Sequence, residues 1–314
     1  MSETTELAIK TSSLTKQFGS QKAVNDIALS VPKGSVFGFL GPNGSGKTTT
    51  IRMLLGLAEA TDGEIELLGH AIPKDLENAL PKVGALVEGP AFYPYMSGRN
   101  NLIRIDSADR FADSRTRAER VDAALERVGL TNAAKKRVHA YSLGMKQRLG
   151  LANALLKPRE ILILDEPTNG LDPQGTREVR NLIRSLASEG ITIFVSSHLL
   201  SEIEQLCSHL AVMTAGKIVA QGNIEELRQE SQTRLIIKSD KLDDLVDLLK
   251  KQDIAKISIQ ADRIVAPVDA GFDAAKLNQA LVQAKFMVSE IRLEQPSLEE
   301  YFVNLTGEGF EVVR

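Results

Sequence analysis

An α/β fold, with a mixed sheet, a helical insertion and a smaller α+β module behind it, is what this sequence predicts, on three observations. The apolar run Val36 to Leu40 feeds a glycine-rich segment, GPNGSGKTT, which opens a helical pattern from Thr48 to Ala58. A second continuous apolar run, Ile161 to Leu164, ends in the acid pair Asp165 and Glu166. A strand apolar at every position is one buried on both faces of a parallel sheet. Beyond about residue 224 the pattern changes, and short strand-like segments alternate with amphipathic helical ones. The chain divides on this reading into residues 1–224 and 225–314, with the helical insertion at about 90–155.

A chain of 314 residues, 43% of them apolar, can bury one large α/β core and a second, smaller one. Its net charge of −3 argues against a broad nucleic-acid-binding surface, which needs an excess of lysine and arginine to neutralise phosphates. The single cysteine, Cys207, excludes a disulfide framework and a thiolate zinc site; within LLSEIEQLCSHL it reads as a buried thiol in a helical pattern. The opening MSETTELAIK carries acidic residues and no apolar core, unlike a signal peptide. No window approaches the roughly 18 apolar residues that cross a bilayer. The chain is therefore expected to be cytosolic, with any membrane role reached through a partner.

The glycine-rich segment lies between the strand and the helix that a phosphate loop requires. Gly41, Gly44 and Gly46 let the backbone approach phosphate oxygens, so that successive N–H groups and the helix dipole face the anion. Lys47 would reach the β and γ phosphates, and the Thr48 hydroxyl would ligate Mg²⁺. Pro42, Asn43, Ser45 and Thr49 complete the candidate nucleotide-binding loop. A plain glycine turn would not need the Lys-Thr pair, and the dinucleotide pattern GxGxxG is absent. The loop predicts binding of a nucleoside triphosphate.

In EILILDEPTNGLDP, residues 160–173, the two carboxylates emerge at the C-terminal end of a buried strand, where ligands bind in open α/β sheets. Asp165 is placed to hold Mg²⁺ through water, and Glu166 to polarise an attacking water. A solvated Asp-Glu pair is the alternative, which the uninterrupted apolar run disfavours. Between these two segments, YSLGMKQRLGLANALL, residues 141–156, reads as a helix whose start has no acidic cap and leaves backbone N–H groups open.

A phosphate loop, a short signature opening a helix, and LDEPTNGLD after it, in that order, resemble the ATP-binding subunit of ABC transporters over residues 7 to about 222. The resemblance implies ATP as the nucleotide and hydrolysis as the reaction. It implies that Phe18 stacks on adenine, although a phenylalanine beside a strand is more often core. It implies that His198, after the apolar strand of TIFVSSHLLSE, contacts the γ-phosphate, although a lone histidine there is usually structural. It places Asp172 in a loop crossing a dimer interface. It also makes Tyr141, Ser142, Leu143, Gly144 and Met145 the signature, with Ser142 and Gly144 facing the ATP held by a second subunit. One phosphate loop and one signature per chain then require two nucleotide-binding chains head to tail, either two copies or a heterodimer.

Two departures from the family pattern stand out. Leu143 and Met145 replace a glycine and a glutamine of the signature, leaving its serine and second glycine in place. Glu88 occupies the position usually held by glutamine, where it either ligates Mg²⁺ and orients water or is a solvated loop acid. Glu88, the aromatic run Pro90 to Tyr95 and the tail SLEEYFVNLTG together resemble exporters for peptide antibiotics and drugs. In such proteins the segment after Glu88, with residues 107–130, receives a helix of the membrane permease.

Beyond the first domain, 234–239, 256–260, 263–268 and 288–293 read as strands, and 241–251 and 273–285 as helices. That βαββαβ order predicts a ferredoxin-like module closed by a helix in SLEEYFVNLTG. No catalytic cluster falls in it, and a structural or dimer-stabilising role is expected ahead of a regulatory ligand site. The sequence thus predicts an ATPase subunit at the cytoplasmic face of the membrane, powering an exporter through a separate polytopic permease, with no nucleic-acid partner. An importer subunit shares the core motifs and differs in its partners. A soluble ATP switch would not need Glu166, and translation factors of this type usually carry two ATP sites in one chain.

Overall fold

In a computed structural model of the chain, describing residues 6–88, 91–109, 112–230, 233–239, 241–252, 254–269, 271–294 and 297–306, the apolar runs are the buried strands of a parallel sheet. The chain forms two units, Met1–Asn223 and Ile224–Arg314.

The strands of the first unit are β1 (Leu7–Phe18), β2 (Gln21–Ile27), β3 (Ser30–Pro32), β4 (Val36–Leu40), β5 (Asp62–Leu67), β6 (His70–Ile72), β7 (Val83–Leu86), β8 (Ile161–Asp165), β9 (Thr192–Ser197), β10 (His209–Thr214) and β11 (Lys217–Asn223). Its helices are α1 (Lys47–Leu54), α2 (Leu76–Ala79), α3 (Gly98–Ala108), α4 (Arg117–Arg127), α5 (Leu143–Ala154), α6 (Pro173–Ser188) and α7 (Leu200–Leu206). The larger sheet runs β11-β10-β4-β9-β8-β7, parallel from β10 to β7, with β11 antiparallel on one edge. The smaller one runs β2-β1-β5-β6, with β3 also on β1, all antiparallel.

Every residue of β8 and β9 is buried, which is why neither shows the alternation of a half-exposed strand. One apolar cluster takes Ile9, Leu14 and Val24 from the antiparallel sheet, Phe37, Phe39 and Phe194 from the parallel one, and Ile51 and Leu54 from α1. Phe194 stacks on Phe37 with centroids 5.8 Å apart. Register brings the strand ends together: Leu40 lies beside Ser197, and Asp165 beside Ser196.

The insertion is made of α3, α4 and α5, which pack on one another. Buried Asp106 on α3 accepts from Arg117 Nε at 2.9 Å and Arg120 Nη2 at 2.7 Å, tying α3 to α4. Pro90, the first residue of the expected aromatic run, lies outside the described residues. Tyr93 and Tyr95 are exposed, and no helix of the described residues is long and apolar enough to cross a membrane.

The second unit contains α8 (Ile224–Glu230), β12 (Arg234–Ser239), α9 (Leu242–Lys251), β13 (Ser258–Gln260), β14 (Arg263–Pro267), α10 (Ala274–Gln283), β15 (Val288–Glu294) and α11 (Leu298–Thr306). Its antiparallel sheet is ordered β13-β14-β12-β15, so the two helical crossovers each skip a strand position, as in a split βαβ. Leu235 and Ile237 of β12 pack with Leu245 and Leu249 of α9 and Leu277 and Leu281 of α10. Both helices present these leucines at i, i+4 spacing, one stripe facing the sheet. Arg234 on β12 pairs with Glu300 on α11 at 2.8 Å.

Candidate functional site

The phosphate loop joins β4 to α1. Gly46 stands at the start of α1 with φ +112°, and a Cβ there would lie 2.4 Å from the Ala23 carbonyl oxygen, so no other residue fits. The first turn of α1 has no acidic residue, which leaves its N-terminal dipole available to an anion. Pro42, Asn43 and Gly44 are exposed at the tip, and Thr49 is half-buried behind them. Lys47 folds across the loop, its Nζ donating to the carbonyl of Gly41 at 2.6 Å and of Pro42 at 3.1 Å. Burial holds the Lys47 ammonium below the usual lysine pKa, and Glu166 and Asp165 act against that shift. Ser45 Oγ is buried without a hydrogen-bond partner among the described residues. A buried hydroxyl costs stability unless it finds an acceptor. A phosphate oxygen seated in the loop supplies one, so this donor set fits a triphosphate.

The acid pair closes on the loop from the end of β8. Thr48 Oγ1 donates to Asp165 Oδ2 at 2.9 Å, and Ser196 Oγ donates to Asp165 Oδ1 at 2.5 Å. The Glu166 amide donates to the same Ser196 hydroxyl at 3.0 Å. Glu166 itself adopts φ +45°, the left-handed region that a side chain enters at a cost. That turn puts its carboxylate 3.7 Å from Lys47 Nζ and 3.0 Å from His198 Nδ1, a hydrogen bond when Nδ1 carries the proton. Lys47, Thr48, Asp165, Glu166 and His198 therefore form one cluster across the ends of β4, β8 and β9. It sets a proton acceptor, a cation and two hard oxygen donors beside an anion-binding loop, the equipment of phosphoryl transfer to water.

The remaining candidates lie elsewhere. Ser142 caps α5, its Oγ accepting from the Met145 amide at 3.2 Å, and the first turn of α5 carries no acid. The helix start that lacked an acidic cap is thus capped by a serine whose hydroxyl hydrogen is left for another acceptor. Gly144 faces the start of α6, where a Cβ would meet Gly175 Cα at 3.8 Å. Asp172 caps α6, accepting from the Gly175 amide at 2.7 Å. No hydrogen bond among the described residues joins Ser142, Gly144 or Asp172 to the Lys47 cluster within one chain. Phe18 ends β1 at 55% exposure, with Lys16 Nζ 5.0 Å from its ring centroid, so it is not core. Glu88, at φ +56°, forms an ion pair with Arg52 of α1, and no hydrogen bond among the described residues links it to Thr48 or Asp165.

Several contributors escaped the sequence reading. Ser196 and Ser197 end β9, and Ser196 holds both acidic residues, donating to Asp165 and accepting from the Glu166 amide. Thr168 and Glu202 share a hydrogen bond of 2.8 Å beside the cluster. The available signal was the pair of hydroxyls at the C-terminal end of a buried strand, where side chains without partners are costly. Cys207, expected in a helix, is the residue just after α7, and burial pushes its thiol far above the usual cysteine pKa.

A family model described as ABC transporter matches residues 24–169. The bacitracin transport ATP-binding protein of Bacillus licheniformis is 44% identical over 303 residues, covering 96% of this chain and 98% of that protein. The daunorubicin resistance ATP-binding protein of Streptomyces coeruleorubidus is 34% identical over 307 residues, covering 96% and 97%. A solved ATP-binding cassette of an ABC transporter, MJ1267 in its ADP conformation, superposes with a TM-score of 0.63 at 26% identity, covering 71% of this chain and 93% of that one.

Proposed function

The chain belongs to the ABC transporter family of ATP-binding proteins, and from that premise we propose that its five clustered side chains hydrolyse ATP to drive an exporter of drugs or peptide antibiotics. The chain is an ATPase. The observation that carries the assignment of roles is the convergence of Lys47 and His198 on the Glu166 carboxylate, beside the phosphate loop. Lys47 binds the β and γ phosphates, exchanging its loop carbonyls for phosphate oxygens. Glu166 takes a proton from the attacking water. His198 orients that carboxylate. Thr48 Oγ1 and Asp165 Oδ2, already 2.9 Å apart, would hold Mg²⁺, which neutralises phosphate charge when bound. Phe18 supports the adenine by stacking.

Ser142 and Gly144 complete the ATP site of a second nucleotide-binding chain, a role supported by the uncharged start of α5. Glu88 forms an exposed ion pair with Arg52 of α1, which would have to open for Glu88 to ligate the metal. The subunit works at the cytoplasmic face of the membrane through a separate permease. Bacitracin transport and daunorubicin resistance, named for two relatives, support an antibiotic or drug as the cargo class. Affinity purification of the chain from native membranes in mild detergent should recover a polytopic membrane protein in near-equal amount. Recovery as a soluble species with no such partner overturns the exporter reading and leaves the ATPase intact.

A further inference from the structure

Glu166 sits in a backbone conformation that persists only where neighbours enforce it. On its N-terminal side the Ser196 hydroxyl holds its amide. The hold on its C-terminal side comes from a residue with no role so far. Glu202, on α7, accepts with one oxygen, Oε2, from Thr168 Oγ1 at 2.8 Å and from Ser197 Oγ at 2.9 Å. Thr168 lies in the turn that Glu166 begins, closed by the Asn169 amide donating to the Glu166 carbonyl at 3.1 Å. Ser197 directly precedes His198, and its hydroxyl also accepts from the Leu199 amide at 3.0 Å. Ile183, Val195 and Ile203 line the same small pocket, so the contact is partly shielded from water. Arg180 also lines this pocket, where its guanidinium donates to Gln205, and no ion pair to Glu202 is found among the described residues. Its carboxylate is committed to the two hydroxyls.

We propose that Glu202 is a positioning residue that fixes the general base, by tying the Glu166–Asn169 turn and the His198 segment to one carboxylate oxygen. The inference rests on the role of Glu166 proposed above. A proton acceptor displaced by a fraction of an ångström loses rate without losing substrate, because the phosphate loop is held separately.

The test is steady-state ATP hydrolysis by the purified full chain, with ATP affinity measured by equilibrium binding. Glu202→Ala should lower kcat by about tenfold or more while KM and ATP affinity stay within about twofold. Glu202→Gln keeps an oxygen that accepts both hydroxyls and should recover turnover to within about threefold of the parent chain. Thr168→Val should lower kcat on its own and add little on top of Glu202→Ala. Wild-type turnover by Glu202→Ala, equal losses in the Ala and Gln variants, or an equal fall in ATP affinity each overturns the proposal. If Glu202→Ala does not fold, Thr168→Val carries the test, and its unchanged kcat is the overturning result. A parent chain that binds but does not hydrolyse ATP overturns the role of Glu166 instead, and this inference with it.

Discussion

The two units bury different chemistry. Among the described residues, all the buried polar side chains, including Ser45, Lys47, Asp165, Ser196 and Ser197, belong to the first unit. The core of the second is aliphatic, led by Leu235, Ile237, Leu249 and Leu281. Burying a polar group costs stability unless its hydrogen bonds are remade inside. In the first unit five of the twelve, Ser45, Lys47, Asp165, Ser196 and Ser197, gather in the loop after β4 and at the ends of β8 and β9, where the proposed triphosphate site assembles. The second builds its βαββαβ order around an apolar core and keeps its ion pairs, such as Arg234 with Glu300, at the surface. What distinguishes the proposed site is that its buried polar groups converge, whereas buried Asp106 in the insertion serves to tie two helices together.

The sharpest way to break that comparison is Glu166→Gln. It should cut turnover by about 10²–10⁴-fold, the usual worth of a general base, while ATP still binds and holds two chains together. Phosphate release, equilibrium binding and size-exclusion chromatography with ATP check it; retained turnover would remove Glu166 from the chemistry. Next comes Leu249→Ala in α9, which empties a fully buried position and should cost about 2–5 kcal/mol in calorimetric unfolding of the second unit. ATP affinity should stay unchanged, and its loss would join the two units functionally. Asp106→Ala leaves Arg117 and Arg120 without their shared acceptor. The cost should be about 3 kcal/mol in thermal melting, at the low end for a buried pair because both arginines reach solvent. A silent substitution would mean that buried charge in the insertion is not structural. The smallest expected effect is on Cys207, half-buried just after α7: desolvation raises its pKa, so at about pH 8 the native chain should react with iodoacetamide more slowly than the unfolded chain. Equal labelling of native and unfolded chains would show that the half-buried thiol ionises as readily as a free one.

The sequence made the phosphate loop and the acid pair legible because each is local: strand, turn and first helical turn lie within a dozen or so residues, and the hydrophobic pattern reports both strands. The module order beyond residue 224 was legible for the same reason, from alternation and turn residues. Boundaries were less so. The helix expected to reach Ala58 stops at Leu54, where Gly56 takes φ +68° and the Leu57 amide turns back to the Arg52 carbonyl. Contacts between distant segments were not legible. Arg52 reaches Glu88 across 36 positions, and Thr168 reaches Glu202 across 34. Read along the chain, Glu202 is one more acid on the exposed side of a short helix; only the sheet order brings it beneath the Glu166 turn.

The left-handed backbone at Glu166 has an evolutionary consequence. Glycine is the residue that rests in that conformation without strain. Glu166→Gly would relax the turn, so selection for heat resistance alone would favour it and discard the base with it. Stability and turnover pull in opposite directions at this one codon. A thermostable lineage of this chain that still hydrolyses ATP must therefore have gained its stability at positions other than Glu166.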